Sequence, residues 1–206
     1  MASRRSGSSH GRPRDASFDA RALDATRELL AAVGFSATTV QAIAARSGVH
    51  ASALYRRWPS RVELIEDAVF PGLDPPSVQP TGDLHRDVRR FVRVYAAAHD
   101  TPAARAAIPG LLAEYQATGR SGAEEQWMHV SARPQFRDIL RAAPAGAVDA
   151  SVDPDDVFDL LLGAILGRVL IPAIRDRRRP AERLVELVLR ALGLEGSSAC
   201  RTVHRV

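Results

Sequence analysis

The densest group of functional residue types lies between Ala51 and Trp58, in the order Ala-Ser-Ala-Leu-Tyr-Arg-Arg-Trp. Leu54 and Trp58 are four residues apart, so on a helix they share one face, and that face predicts contact with a core. The opposite face is small at its N-terminal end and basic at its C-terminal end. A helix that reads the major groove needs this arrangement, because small residues let the backbone approach the base edges.

Residue patterns that support catalysis or metal binding are weak or missing elsewhere in the sequence. Residues 7–11 satisfy the G-x-S-x-G pattern of hydrolases, but that motif needs a strand before it and a helix after it, and neither is predicted here. No phosphate-binding loop, dinucleotide fingerprint or His-Glu-x-x-His motif occurs. The single cysteine, Cys200, excludes multi-cysteine zinc motifs. We therefore expect no enzyme activity, no cofactor and no metal site.

Two helices are predicted ahead of the basic stretch. From Phe18 the apolar residues recur at helical spacing until Gly34, a residue type that commonly ends helices. Thr38 followed three residues later by Gln41 is a capping box, which predicts that Thr38 begins a second helix. This second helix is expected to end before Gly48.

The basic stretch itself is predicted as a third helix over His50 to Arg56, followed by a fourth that begins at Arg61 after Pro59 and Ser60. Two short helices joined by a turn that contains glycine are a helix-turn-helix candidate. The residues with the chemistry of groove recognition thus fall on the second helix of that motif.

Charge is unevenly distributed between the two parts of the chain. The formal net charge is +4 and all 28 basic residues are arginine, a bias that GC-rich codon usage explains. Residues up to Phe70 contain 10 arginines and 7 acids, whereas the rest of the chain contains 18 and 17, so the excess is +3 against +1. This difference favours an anionic partner for the N-terminal part.

The chain beyond the proline-rich stretch 71–80 is expected to be helical throughout, which makes the predicted fold all-α. The predicted helices are Asp83 to His99, Ala103 to Ala117, Gly122 to Ala142 with a kink or division at Pro134, Asp153 with Pro154 up to Pro172, and Pro180 to Gly193. The predicted organisation is a disordered basic arm (1–16), a helix-turn-helix domain (17–70), a second helical domain (81–194) and a disordered tail (195–206).

No apolar run approaches the roughly 20 residues of a membrane span. The N-terminal arginines also lack the apolar stretch of a signal peptide, so we expect a cytoplasmic protein without membrane contact. Residues 11–14, Gly-Arg-Pro-Arg, are similar to the minor-groove hooks of some chromatin proteins, although an ordinary solvated tail has the same composition.

The stretch ATTVQAIAARSGVHASALYRRWPSRVELI resembles the DNA-binding region of TetR-type repressors. The matching positions are Thr38, Ile43, Ala44, Gly48, Val49, Leu54, Tyr55, Trp58, Ser60, Arg61 and Leu64. The later DPDDVFDLLLGAILGRVL, followed by a terminal apolar helix, resembles one C-terminal subgroup of that family. The resemblance implies a homodimer whose two recognition helices enter successive major grooves of operator DNA. It also implies a C-terminal domain that binds a small-molecule effector and releases the DNA.

The resemblance implies roles for individual residues as well. Tyr55 and Arg61 would contact phosphates, and Thr38 would cap the second helix. Ser52 and Arg56 are the candidates for base edges, Arg56 preferably at guanine, while Arg57 suits either purpose. The whole predicted DNA-binding set is Thr38, Thr39, Gln41, His50, Ala51, Ser52, Tyr55, Arg56, Arg57, Ser60 and Arg61.

Three of these positions carry an open question. His50 stands at the N-cap of the recognition helix where the family usually has Ser or Thr, which implies a weaker cap or a pH-sensitive contact. From the residues alone, Tyr55 also suits a half-buried place between helices and Arg56 suits a merely solvated one. The surrounding signature favours DNA contact for both.

Gly163 and Gly167 lie four residues apart on the most apolar predicted helix, so they share a face on which another backbone can approach closely. Packing inside one chain uses the same spacing, and the resemblance favours a dimer in which the helices 155–171 and 181–192 pair with their two-fold mates. The predicted interface residues are Val157, Leu160, Leu161, Gly163, Ala164, Gly167, Leu184, Leu187 and Val188.

A ligand cavity is predicted in the middle segment, lined by Phe91, Tyr95, Tyr115, Trp127, Met128 and Phe136. The same residues suit a plain core, and both interpretations stay open. Arg93, His99 and His129 are candidates for polar contacts with a ligand. The leading function is a ligand-responsive repressor; the alternative is a DNA-binding regulator without an effector, controlled by occupancy or a protein partner.

Overall fold

The computed structural model describes residues 16–70, 78–118, 132–171 and 180–194. Every regular element in these ranges is an α-helix, as the hydrophobic periodicity predicts. In chain order they are α1 (Ala16–Ala37), α2 (Val40–Ser47), α3 (Ala51–Arg57), α4 (Arg61–Val69), α5 (Leu84–His99), α6 (Pro102–Thr118), α7 (Arg133–Arg141), α8 (Pro154–Leu170) and α9 (Pro180–Ala191). The predictions for the arm before residue 16, for residues 122–131 and for the tail lie outside the described residues.

Gly34 interrupts α1, as predicted, but one more helical turn follows it. Its backbone has φ +79° and ψ 178°, a conformation that side-chain-bearing residues rarely adopt. The turn beyond it closes through Thr38, whose Oγ1 donates to the Gly34 carbonyl oxygen at 2.8 Å and whose backbone N–H donates to the Phe35 carbonyl oxygen at 3.2 Å. This turn directs the chain from α1 into α2.

Helices α1 to α4 pack around one apolar cluster. The turn between α2 and α3 is made by Gly48, which caps α2 at φ +67°. The cluster is formed by Ala22, Val40, Ile43, Val49, Leu54, Trp58 and Leu64. Because side chains from α1, α2, α3 and α4 all enter it, the cluster fixes the direction of the short helix α3.

Helices α5, α7, α8 and α9 form a second core. Side-chain caps begin two of its helices: Asp83 accepts from the Arg86 N–H at 3.1 Å, and Asp153 accepts from the Asp155 N–H at 2.8 Å. Pro134 lies in the first turn of α7, where its missing N–H costs nothing, so within the described residues it begins a helix.

A third cluster joins the two parts. Alanines of α6, Ala103, Ala104 and Ala107, pack with Leu30 of α1 and Ile65 of α4. Small side chains allow the helices to approach closely, so α6 lies directly against the N-terminal domain. A displacement of α6 would therefore change its packing contacts with α1 and α4.

Candidate nucleic-acid interface

The inner face of α3 is held firmly in the N-terminal core. Leu54 is fully buried and Trp58 is 3% exposed. The Trp58 ring stacks with the Phe18 ring at a centroid distance of 6.3 Å, and its Nε1–H donates to an oxygen of Asp67 at 2.7 Å. The predicted inward direction of these two residues is confirmed, so the opposite face of α3 points away from the core.

That outer face presents the residues expected of a groove-reading helix. Ser52, Tyr55 and Arg56 are all exposed, Tyr55 at 48%. Arg56 makes no ion pair or hydrogen bond with any of the described residues, so its guanidinium is available. Arg57 differs, since its Nε lies 3.2 Å from Oδ2 of Asp19 and its guanidinium carbon is 5.0 Å from the Trp58 ring centroid.

His50 is the N-cap of α3, but its side chain makes no capping hydrogen bond. The helix begins at Ala51, so His50 occupies the predicted N-cap position without capping the helix through its side chain. His50 is exposed and Ala51 is half-buried, so the uncapped start of α3 lies at the surface. Backbone N–H groups at such a start have no partner within the helix and are suited to bind phosphate oxygens.

The predicted cap of α2 is wrong by one residue. Thr39 is the N-cap, and its side chain accepts from the Ala42 N–H at 3.1 Å. Thr38 is 0% exposed, because its hydroxyl is used in the turn after Gly34. Thr38 therefore does not contribute to the outer surface, whereas Thr39 and Gln41 are exposed there.

Ser60, which the sequence analysis places in the DNA-binding set, caps the start of α4. Ser60 and Glu63 form a reciprocal cap: the Glu63 N–H donates to Ser60 Oγ at 3.1 Å, and Ser60 Oγ donates to Glu63 Oε1 at 3.1 Å. Both are partly buried. The Ser60 hydroxyl is thus used to cap the start of α4.

Arg61 turns inward, against the expectation of a free phosphate contact. Its Nη1 donates to the Phe35 carbonyl oxygen at 2.9 Å, and its guanidinium carbon is 4.3 Å from the Phe35 ring centroid. Its Nη2 lies 3.3 Å from Oε1 of Glu114 in α6. The residue fastens the end of α1 to α4 and α6.

Two further contacts continue this junction between the N-terminal domain and α6. The Tyr115 hydroxyl donates to Glu66 of α4. Gly110 lies so close to the Phe35 ring that a Cβ atom built on it would be 2.2 Å from Cδ1 of Phe35. Sequence reasoning missed Phe35, Glu66, Gly110 and Glu114, since no local spacing links them.

The chain matches known families over both parts. Residues 22–68 match the family described as "Bacterial regulatory proteins, tetR family", and residues 78–188 match the one described as "Tetracyclin repressor-like, C-terminal domain". The chain belongs to the TetR family. It is a DNA-binding transcriptional regulator of the helix-turn-helix type, and TetR-family regulators are transcription factors and not enzymes.

Two mycobacterial relatives are similar over most of their length. They are the uncharacterized HTH-type transcriptional regulators Rv1556 of Mycobacterium tuberculosis and Mb1581 of Mycobacterium bovis, each 27% identical over 170 residues, which is 81% of this chain and 83% of the relative. Both descriptions name the same class of regulator that the family match gives.

Two solved structures share the fold of this chain. GusR of Salmonella enterica superposes with a TM-score of 0.56 at 21% identity, covering 87% of this chain and 97% of that one. The TetR transcriptional regulator SCO0520 of Streptomyces coelicolor gives 0.51 at 24% identity, covering 84% and 97%. At these identities the likeness concerns the fold alone.

In this TetR-family chain the aromatic residues predicted to line a ligand cavity pack mainly on one another. Phe91, Tyr95 and Phe136 are buried and surround Phe158, with ring centroids between 5.2 and 6.5 Å apart. Burial raises the pKa of Tyr95 above its usual value, so its hydroxyl stays neutral. Tyr115 lies in the junction described above, and Trp127 and Met128 are outside the described residues.

The predicted dimer residues divide into an inner and an outer set. Val157, Leu161, Leu184 and Val188 are buried in the core of their own chain. Leu160 and Leu187 are 68% and 49% exposed, Gly163 is exposed, and Ala164 and Gly167 are half-buried. A Cβ atom on Gly163 or Gly167 would meet no atom within 4 Å, so packing within the described chain does not require either glycine.

Within residues 16–70, 78–118, 132–171 and 180–194, no helix combines the length and the apolar character needed to cross a bilayer. In the same ranges no three His, Cys, Asp or Glu side chains approach closely enough to hold a metal ion.

Proposed function

We propose that this regulator is a repressor that binds a near-palindromic operator as a homodimer and is released by a small-molecule effector. The outer face of α3 carries the proposal, because it presents Ser52, Tyr55 and an Arg56 without an ion pair among the described residues. Arginine donates two hydrogen bonds to guanine O6 and N7, which makes Arg56 the residue that reads sequence.

The residues around α3 supply contacts to the phosphates. Thr39, Gln41 and Tyr55 are exposed and polar, and the uncapped start of α3 offers backbone N–H groups. Neutralising phosphates releases counterions, so affinity should fall steeply as salt rises. Arg61 can also donate to a phosphate, but only through the guanidinium N–H groups that do not bind Phe35, Thr38 or Glu114.

The outer set on α8 and α9 supports the dimer. Leu160 and Leu187 are large, apolar and exposed, and the neighbouring Gly163 and Gly167 leave space for a second backbone. A two-fold axis through this surface pairs α8 and α9 with their mates in a four-helix interface. The partner subunit then buries the two leucines, which are exposed in a single chain.

The junction with α6 supports control of DNA binding from the C-terminal domain. Three contacts, Arg61 with Glu114, Tyr115 with Glu66 and Phe35 with Gly110, tie α6 to α1 and α4. In a dimer, a shift of α6 changes the separation of the two α3 helices, and an operator with fixed half-site spacing then no longer fits.

Footprinting on genomic DNA tests the function. We expect a symmetric footprint whose half-sites lie about one helical turn, roughly 34 Å, apart. An asymmetric footprint from a monomeric protein would contradict the proposal. The neighbouring genes would also indicate the chemistry of the effector.

The dimer is tested by light scattering of the Gly163→Leu variant. The new side chain occupies the space left for the partner backbone, so we expect a monomer with unchanged helix content. Ala32→Leu, an exposed alanine of α1, is the matched control and should stay dimeric. A dimeric Gly163→Leu protein would refute this placement of the interface.

A further inference from the structure

A cavity of about 210 Å³ opens between α5, the end of α8 and the start of α9. Its wall is mainly apolar and includes Ala96, Ile165 and Val169. The aromatic residues of the predicted ligand cavity that fall in the described ranges do not line it, whereas His99, predicted as a polar contact, does. The volume is below the roughly 300–1,000 Å³ of sites for drug-sized ligands, so the cavity suits a molecule with a compact body.

The His99 side chain is buried where it lines this cavity, since only 5% of the residue is exposed. Its ring contacts two aromatic rings, with centroid distances of 4.5 Å to Tyr95 and 5.3 Å to Phe70. Burial and these contacts leave the imidazole little freedom to rotate.

The hydrogen bond of this imidazole determines which of its nitrogens carries the proton. Nδ1 of His99 lies 2.8 Å from the Tyr95 carbonyl oxygen, and because a carbonyl oxygen only accepts, Nδ1 is the donor. Burial also lowers the pKa of His99, so the ring is neutral near neutral pH and Nε2 has no proton. Nε2 therefore offers a lone pair, which accepts no hydrogen bond from the described residues.

An acceptor in this position favours a ligand that donates a hydrogen bond. An unpaired buried acceptor costs free energy, so a hydroxyl group that donates to it gains more than the same group gains at an exposed acceptor that water already satisfies. The geometry of His99 thus selects for a hydroxyl on an otherwise apolar molecule.

The charged residues that line the cavity select less strongly. The Asp100 side chain is 61% exposed, and its Oδ1 lies 2.9 Å from Nη1 of Arg105. The Arg93 side chain is 48% exposed and lies 3.6 Å from Glu182. Arg168 has an interaction partner as well. A ligand group that replaces water or a partner at such residues gains little.

We infer that this cavity binds a small neutral alcohol, whose hydroxyl donates to Nε2 of His99 and whose apolar body lies against Ala96, Ile165 and Val169. The binding site stands on the cavity and on the hydrogen bonding of His99. The effect of the alcohol on DNA rests on the proposed function, because the alcohol would be its effector.

Two contacts connect the cavity to the DNA-binding domain. The His99 ring packs on Phe70, the residue that ends α4. Val169 packs against the cluster that joins α6 to α1 and α4. A ligand that fills the cavity therefore acts on side chains in direct contact with α4 and with the cluster that holds α6.

Binding is measured by calorimetry and thermal shift on the full chain, without DNA. The probes are cyclohexanol and 1-phenylethanol, at up to about 10 mM because ligands this small bind weakly. Cyclohexanone and acetophenone are the matched controls, since they keep the carbon skeleton but carry an oxygen that accepts and does not donate. We expect at least one alcohol to bind, and its ketone to bind at least about fivefold more weakly for want of one hydrogen bond.

Substitution of the acceptor tests the role of His99. His99→Phe keeps an aromatic ring but removes Nε2, so it should weaken binding of the alcohol at least about fivefold and leave the affinity for the ketone unchanged. His85→Phe makes the same change at an exposed histidine of α5 and should leave both affinities unchanged. Circular dichroism checks that both variants keep their helix content.

Nitrogen-15 NMR of the histidine-labelled chain tests the tautomer without any substitution. At neutral pH we expect Nδ1 of His99 to be protonated and Nε2 to be unprotonated. The Nε2 resonance should shift when the alcohol binds, and the spectrum of His99→Phe assigns it. A protonated Nε2 in the wild-type chain would overturn the inference.

A second cavity, of about 440 Å³ between α1, α4 and the start of α6, provides the competing location. Ala97 lines the first cavity and Ala98 lines the second, so substitutions at neighbouring positions distinguish the two. Ala97→Leu should abolish binding of the alcohol, and Ala98→Leu should leave it unchanged. The opposite result would overturn the inference, as would failure of both alcohols to bind, equal affinities for alcohol and ketone, or an unchanged affinity in His99→Phe.

A DNA-binding assay separates this inference from the proposed function. If a compound of another class releases the operator while neither alcohol binds, the inference fails and the proposed repressor stands. If the alcohols bind at His99 but leave operator affinity unchanged, the site is upheld and release through this cavity fails.

Discussion

The outer face of α3 and the junction of α4 with α6 carry similar residue types but use them in opposite ways. On α3, Tyr55 and Arg56 are exposed, and Arg56 makes no contact with the described residues that would hold it. At the junction, Arg61 and Tyr115 are fixed by Glu114 and Glu66. The difference shows that the type of a residue predicts what it is able to bind, whereas its position in the fold decides whether it is available.

The largest expected effect is the difference in stability between substitutions on the inner and the outer face of α3. Trp58→Ala removes a buried ring, its stacking on Phe18 and its bond to Asp67, and should lower the free energy of unfolding by about 3–5 kcal/mol. Tyr55→Ala removes an exposed ring and should change that free energy by less than about 0.5 kcal/mol while weakening DNA binding. Urea denaturation and fluorescence anisotropy measure the two effects, and equal losses of stability would erase the distinction between the faces.

The next effect concerns the two arginines. Arg56→Ala should cost about 1–3 kcal/mol in operator binding and relax the preference at one base pair, with the melting temperature unchanged. Arg61→Ala should instead lower the melting temperature and weaken binding to all sequences alike, because it loosens the junction. Binding to a library of operator variants measures both, and a sequence-specific loss in Arg61→Ala would contradict the division.

A smaller effect tests how tightly α6 lies against α1. Gly110→Ala should lower the free energy of unfolding by about 1 kcal/mol, since the clash with Phe35 outweighs the higher helix propensity of alanine. In a Phe35→Ala background the same substitution should stabilise the protein, because the ring is gone. Thermal unfolding of the four proteins gives the coupling, and additive effects would mean that the two helices are not in close contact.

The smallest effect is the pH dependence contributed by His99. Burial lowers its folded pKa below the usual 6.5, so between these two pKa values the unfolded chain binds more protons than the folded one. The free energy of unfolding therefore rises with pH through this window and falls on acidification below pH 6.5. His99→Gln and His99→Asn should both flatten this slope in thermal unfolding between about pH 5 and 7.5; an unchanged slope would exclude His99 as its source.

Local residue patterns predicted the helices, the helix-turn-helix and the inward direction of Leu54 and Trp58 correctly. They also predicted that Asp153 and Pro154 begin α8. These features depend on spacings of one to four residues, over which helical geometry fixes what is adjacent. The cap of α2 shows how far such local rules reach, because the turn after Gly34 uses Thr38 and leaves the cap to Thr39.

Packing between distant helices determines which of the predicted site residues are available. Arg61 meets Phe35 and Glu114, which are 26 and 53 residues away along the chain, and no periodicity encodes such pairs. The packing of α9 on α8 likewise separates Leu161, which is buried, from Leu160, which is exposed, although the two are neighbours in the sequence. Local propensity places a side chain on a face of its helix, but the packing of distant helices determines what that face contacts.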